Sequence, residues 1–186
     1  MAQLSELPHL IEAQDWAAAE RVLRKASKAK AAPAEVFYNL AKVLEHLGKL
    51  GQRTMWLKRA VAKRPGYAVA WFELGRAYLD AGDIQAARDA FHRACDADPG
   101  DADARRMVAR LSIRLGLWDA ARTALQDDQD AEASLARYRI RAETGVASKA
   151  DRDALLQDAA LRPEALRTLT RVAQGSLPLR LPQLRT

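Results

Sequence analysis

Three glycines, Gly48, Gly82 and Gly116, stand 34 residues apart, and the residues around them recur at the same spacing. A fixed period of that length marks a chain built of stacked helical hairpins, each burying against its neighbour the apolar face it cannot bury alone. The period restricts the architecture before any single residue is weighed. Glycine suits the end of each hairpin's first helix, where the chain turns through φ > 0 without steric cost.

The clearest unit begins at Ala68 and carries Trp71, Leu74, Gly75, Tyr78, Gly82, Ala87, Phe91, Ala94 and Pro99. These fall in the order W-x2-L-G-x2-Y, then G, A, F, A and P, and the segment closely resembles a tetratricopeptide repeat. The resemblance implies an all-α, right-handed superhelix of stacked antiparallel hairpins, with no sheet between Ala34 and Asp128. Each position also has a packing reason. Leu74 and Tyr78 share one face of the first helix, with Trp71 a turn earlier. Gly75 lets the second helix approach closely, and Ala87, Phe91 and Ala94 form that helix's inward stripe. Pro99 ends it. Trp71, Leu74, Tyr78, Phe91 and Ala94 are therefore expected to be largely buried, with Trp16 and Trp118 in equivalent places on other second helices.

The neighbouring units repeat the scheme less strictly. From Ala34, Phe37, Leu40, Ala41, Leu44, Gly48, Leu57, Ala60 and Pro65 hold equivalent positions, but Arg53 stands where alanine is expected, which predicts looser packing. From Ala102, Val108, Ala109, Gly116, Ala121 and Leu125 are kept, while Arg105 replaces the aromatic residue and Ser112 the tyrosine. The expected organisation is a repeat domain over 1–175, with units at 34–67, 68–101 and 102–130 and degenerate units at 1–33 and 131–162. A short first helix is expected around Leu4 to Ala13, a helix start at Ser148 with Asp151, and a capping helix over 163–174 opened by Pro163. Residues 176–186, with two prolines among leucines and arginines, read as an extended tail. It could pack on the last helices, bind a partner or link to a further domain.

Composition narrows the function classes. Alanine makes up roughly a fifth of the 186 residues, which suits close helix packing. The first residues carry Glu6, Glu12 and Asp15 and lack the basic start of a secretory signal, and no apolar run approaches spanning length. A cytoplasmic, bacterial-type protein is the expectation. Cys95 is the only cysteine, expected to be a packed, inert thiol, and His9, His46 and His92 lack ligand-like spacing. Asp127, Asp128 and Asp130 read as a solvated loop, because the glycine and final glutamate of a calcium loop are missing. Phosphate-cradling loops, nucleophile elbows and zinc-protease helices are absent from the sequence. The reading is a protein that is not an enzyme and carries no cofactor and no metal.

The net charge of +6 is distributed with the period. By the resemblance, the fifth and ninth positions of each first helix line a concave groove. The ninth positions are Lys42, Arg76 and Arg110, with Arg139 in the shortened fourth frame, and all are basic. The fifth positions include the aromatics Tyr38 and Phe72, and also Arg106 and Leu135. Arg106, Arg110 and Arg114 follow one another at i, i+4 steps, where like charges cost a few tenths of a kcal/mol each. The candidate partner-binding set is thus Tyr38, Lys42, Phe72, Arg76, Arg106, Arg110, Arg114 and Arg139. A solvated basic face, neutralised by Glu45, Glu73, Asp80, Asp103 and Glu143, is the competing account.

One subtype is excluded. Chaperone-binding tetratricopeptide domains grip a terminal carboxylate with Lys and Asn residues in successive units. Asn39 matches the middle position, but Leu4, Pro8, Val69 and Glu73 occupy the others. The expected function is a non-catalytic scaffold that binds an acidic or amphipathic segment of another protein in the groove. The alternatives are an accessory module of an enzyme and a nucleic-acid binder, the last disfavoured by acids interleaved on the same helices. Self-association stays open.

Overall fold

A computed structural model of the chain describes residues 4–126, 128 and 130–172. These residues form eleven helices and no strand. The tail at 176–186, together with Asp127, lies outside them. The chain divides into two compact units, Met1–Met107 and Val108–Thr186. No helix among the described residues is long and apolar enough to cross a membrane.

The first unit contains α1 (Leu7–Glu12), α2 (Trp16–Ala26), α3 (Ala34–His46), α4 (Leu50–Lys63), α5 (Ala68–Asp80), α6 (Ile84–Ala97) and the start of α7 (Ala102–Arg114). α1 is shorter than expected, with Pro8 in its first turn. The hairpin turns share one hydrogen-bond pattern. Gly48 and Gly82 have φ of 69° and 78°. The amide following each glycine then donates back to a carbonyl in the helix's last turn, Lys49 to Leu44 at 2.8 Å and Asp83 to Tyr78 at 2.9 Å. Gln14 occupies the equivalent place in the first hairpin. It adopts φ 55°, and Asp15 donates to Leu10 at 2.9 Å, so the turn forms without glycine. Asp15 and Asp83 cap the second helices by accepting from the amides of Ala18 and Ala86.

Leu23, Leu40, Leu44, Leu57 and Leu74 form the buried centre of this unit. Where α5 meets α6, a Cβ on Gly75 would lie 2.9 Å from three atoms of the Phe91 ring, so the helices close over a residue with no side chain. Leu74, Phe91 and Ala94 are buried as expected. Trp71 and Tyr78 are only half-buried. The Trp71 indole turns to donate to the Pro65 carbonyl at 2.7 Å, and Lys58 sits 5.3 Å over the Tyr78 ring. Trp16 opens α2 and stacks on His46 with ring centroids 4.0 Å apart.

The second unit holds the remainder of α7, then α8 (Trp118–Ala124), α9 (Ala131–Glu143), α10 (Lys149–Gln157) and α11 (Arg162–Val172). Trp118 opens α8 as Trp16 opens α2. Gly116 and Gly145 turn through φ 73° and 75°. Ser148 and Asp151 form a complete capping box at the start of α10. Ile113, Leu125 and Ile140 pack in one buried cluster, and Tyr138, Leu155, Leu156 and Ala165 in another.

Candidate functional site

The expected basic ladder has two different electrostatic settings. In the first unit, Lys42 on α3 sits 2.6 Å from Glu45 and 3.4 Å from Glu73. Arg76 on α5 lies 3.0 Å from Glu73 and 3.6 Å from Glu45. Both carboxylates also face Arg53 at 3.4 Å, and Arg53 donates to Asp80 at 2.8 Å. Three cations, Lys42, Arg53 and Arg76, thus meet three carboxylates, Glu45, Glu73 and Asp80.

At the centre of this cluster Arg53 is only 2% exposed. It stands where Ala19, Ala87 and Ala121 are fully buried in the other hairpins. The guanidinium fills the place and carries its own counter-charges. A buried cation is tolerable only when paired and hydrogen-bonded. Burial alone would push the Glu45 pKa up. The Lys42 hydrogen bond and the charges of Arg53, Lys42 and Arg76 outweigh it and hold Glu45 below its ordinary 4.5.

The aromatic candidates are engaged within the same unit. Tyr38 lies 5.4 Å from the Tyr67 ring, and Phe72 meets Phe91 edge-on at 5.0 Å. Arg106 lies 3.3 Å from Asp103. Cys95 is half-buried, and burial pushes its thiol pKa up. Among the described residues no three His, Cys, Asp or Glu side chains converge as metal ligands would.

In the second unit the remaining candidates come together. Arg110, Arg114 and Arg139, joined by Arg171 from α11, line a cleft of about 780 Å³. Its apolar lining is Ile113, Leu135, Ala136 and Leu161, and Glu132 and Glu164 also border it. Arg110 is matched by Glu132, with Nε at 2.8 Å and Nη2 at 2.6 Å. Glu164 is taken by Arg167. Arg139 and Arg171 share a single carboxylate, Glu143, at 3.8 and 3.6 Å. The Arg139 Nε is buried and makes no hydrogen bond. Burial, and then the neighbouring Arg171 charge, lower the Arg139 pKa despite Glu143. Arg114 is exposed and has neither a hydrogen bond nor an ion pair among the described residues. Sequence reasoning did not place Arg171 in the site. Its signal, an arginine in a stretch with no acid after Glu164, was present but could not be located without the fold.

Two models of the tetratricopeptide repeat match the chain, one over residues 6–68 and 53–102 and the other over 78–142. The chain belongs to the tetratricopeptide repeat family. No curated protein sequence matches it. The fold is similar to the crystal structure of MamA, with TM-score 0.67, 22% identity and 96% of each chain covered. It is also similar to a tetratricopeptide repeat protein from Parabacteroides merdae ATCC 43184, with TM-score 0.69, 16% identity, and 95% of this chain and 80% of that one covered. YrrB, described as a TPR protein with an unusual peptide-binding site, matches with TM-score 0.56, 21% identity, and 83% of this chain and 74% of that one covered.

One departure from the tetratricopeptide pattern is accommodated by an equivalent bond. Arg105 stands one period after Trp71, and its Nη1 donates to the Pro99 carbonyl at 2.7 Å, as the indole does to Pro65. Trp71 and Arg105 both end in an N–H donor there, whereas Phe37, one period earlier, packs on the Trp56 ring instead.

Proposed function

We propose that the protein is a non-catalytic interaction scaffold that binds an acidic or amphipathic segment of a partner protein along its first-helix faces. The observation that carries this reading is the uncompensated arginine charge at the cleft of the second unit. An unpaired cation beside apolar side chains is complementary to an acidic chain with apolar residues. Hairpin stacks offer a preformed surface, so binding costs little ordering entropy.

Affinity capture from the source organism on the full chain tests the proposal. The expected result is an acidic partner released as salt rises, with capture weakened by reversing Arg76 and Arg110 to glutamate, most strongly at low salt. Capture that ignores both salt and the double reversal would refute it.

A further inference from the structure

The two halves of the basic ladder differ in whether their charge is already spent. Lys42 and Arg76 each face two carboxylates that also serve Arg53, so an incoming acid would have to compete with a closed cluster. In the second unit Arg114 has no counter-charge among the described residues, and Arg139 shares one with Arg171. Two positive charges are therefore in surplus beside an apolar wall of Ile113, Leu135 and Leu161.

We infer that this cleft, bounded by α7, α9 and α11, is the specificity site of the scaffold and takes a peptide segment in which an aliphatic side chain is flanked by carboxylates. The aliphatic group packs on Ile113, Leu135 and Leu161, one carboxylate meets Arg114, and another meets the Arg139–Arg171 pair. This rests on the scaffold reading above and narrows it to one unit and one ligand chemistry. The volume of about 780 Å³ is within the range of ligand-binding clefts. The chain's own residues 173–186 do not fit, because they contain Arg180 and Arg185 and no acid. Planar guanidinium forks also favour carboxylate geometry over a diffuse charge.

The test uses the full chain and a labelled peptide with leucine between glutamates. Two control peptides replace the leucine by glycine or the glutamates by glutamine. The parent peptide should bind, and each control should bind about tenfold more weakly. R114Q/R171Q should weaken the parent about tenfold and leave the glutamine control unchanged, while K42Q changes either by less than about twofold. Arg114 and Arg171 are both exposed, so the variant should keep its helical circular dichroism and melting temperature. Failure of the parent to bind, or binding indifferent to R114Q/R171Q, overturns the assignment. Tighter binding of a single-stranded oligonucleotide through the same arginines overturns it in favour of nucleic acid. Concentration-dependent dimerisation abolished by R114Q/R171Q overturns it in favour of a second copy. If partner capture persists in R114Q/R171Q while R76E/R110E removes it, the cleft assignment fails and the scaffold reading stands.

Discussion

The first and second units are built on one period, yet they treat charge in opposite ways. In the first, an arginine replaces a core alanine and draws Glu45, Glu73 and Asp80 around it, and Lys42 and Arg76 complete the set. In the second, the equivalent core position remains Ala121, and the arginines stay at the rim of a cleft with too few carboxylates. A basic residue at a given repeat position therefore does not define a binding role. What defines it is whether the neighbouring hairpin supplies an acid.

The largest expected effect breaks the first arrangement. Arg53→Ala should cost about 3 kcal/mol, because it strands carboxylates around an emptied buried place, and chemical denaturation measures it directly. A cost near zero would mean the cluster is only a surface feature. Acid probes one of the same carboxylates. Glu45 has a folded pKa below its ordinary 4.5, in part through the Arg53 charge. Its stabilising contribution is complete above that pH and is lost as pH falls through the lowered value. Stability followed by circular dichroism should therefore drop below about pH 4.5, and the drop should be smaller in Arg53→Ala. An equal drop in both proteins would remove the cluster from the explanation.

A second contrast concerns helix approach. Gly75 faces the Phe91 ring, and one period later the same places hold Ala109 and Leu125. Gly75→Ala should cost about 1–3 kcal/mol by overpacking, and adding Phe91→Leu should recover part of that loss, because leucine already coexists with alanine in the second unit. A double variant less stable than both singles would show that the two pairs are not interchangeable.

The smallest effect tests the shared turn. Gln14 takes a left-handed conformation that glycine holds in the other hairpins. Gln14→Gly should raise stability by about 0.5–1 kcal/mol, read as a higher melting temperature. A lower melting temperature would mean that the Gln14 side chain contributes more than its backbone strain costs.

The fold was legible in the sequence because its determinants are local and periodic. Gly82, Phe91 and Pro99 each act on a neighbour fixed by the 34-residue spacing, so spacing alone locates the partner. The site was legible only in part. Register brings Arg110, Arg114 and Arg139 to one cleft, but it assigns Lys42 and Arg76 the same place, and the structure pairs Lys42, Arg76 and Arg110 with acids. Neutralisation depends on side chains from adjacent helices meeting in space, as Arg53 meets Glu73 and Asp80, and periodicity does not encode that meeting. The Arg105 bond to Pro99 was hidden for a related reason. Two chemically unlike residues perform one hydrogen bond, so a search for an aromatic residue passes over it.

The buried guanidinium also limits how freely the repeats can be rearranged. Arg53 belongs to the hairpin of α3 and α4, while two of its three carboxylates, Glu73 and Asp80, belong to the hairpin that follows. A cut or graft between Lys63 and Ala68, at what looks like a natural seam, would separate an interior charge from most of its counter-charge. Hairpins of equal length are usually thought of as interchangeable bricks, but these two are keyed to each other. A donor hairpin placed after α4 would have to bring carboxylates at the positions of Glu73 and Asp80, or Arg53 would have to revert to the alanine that its counterparts carry.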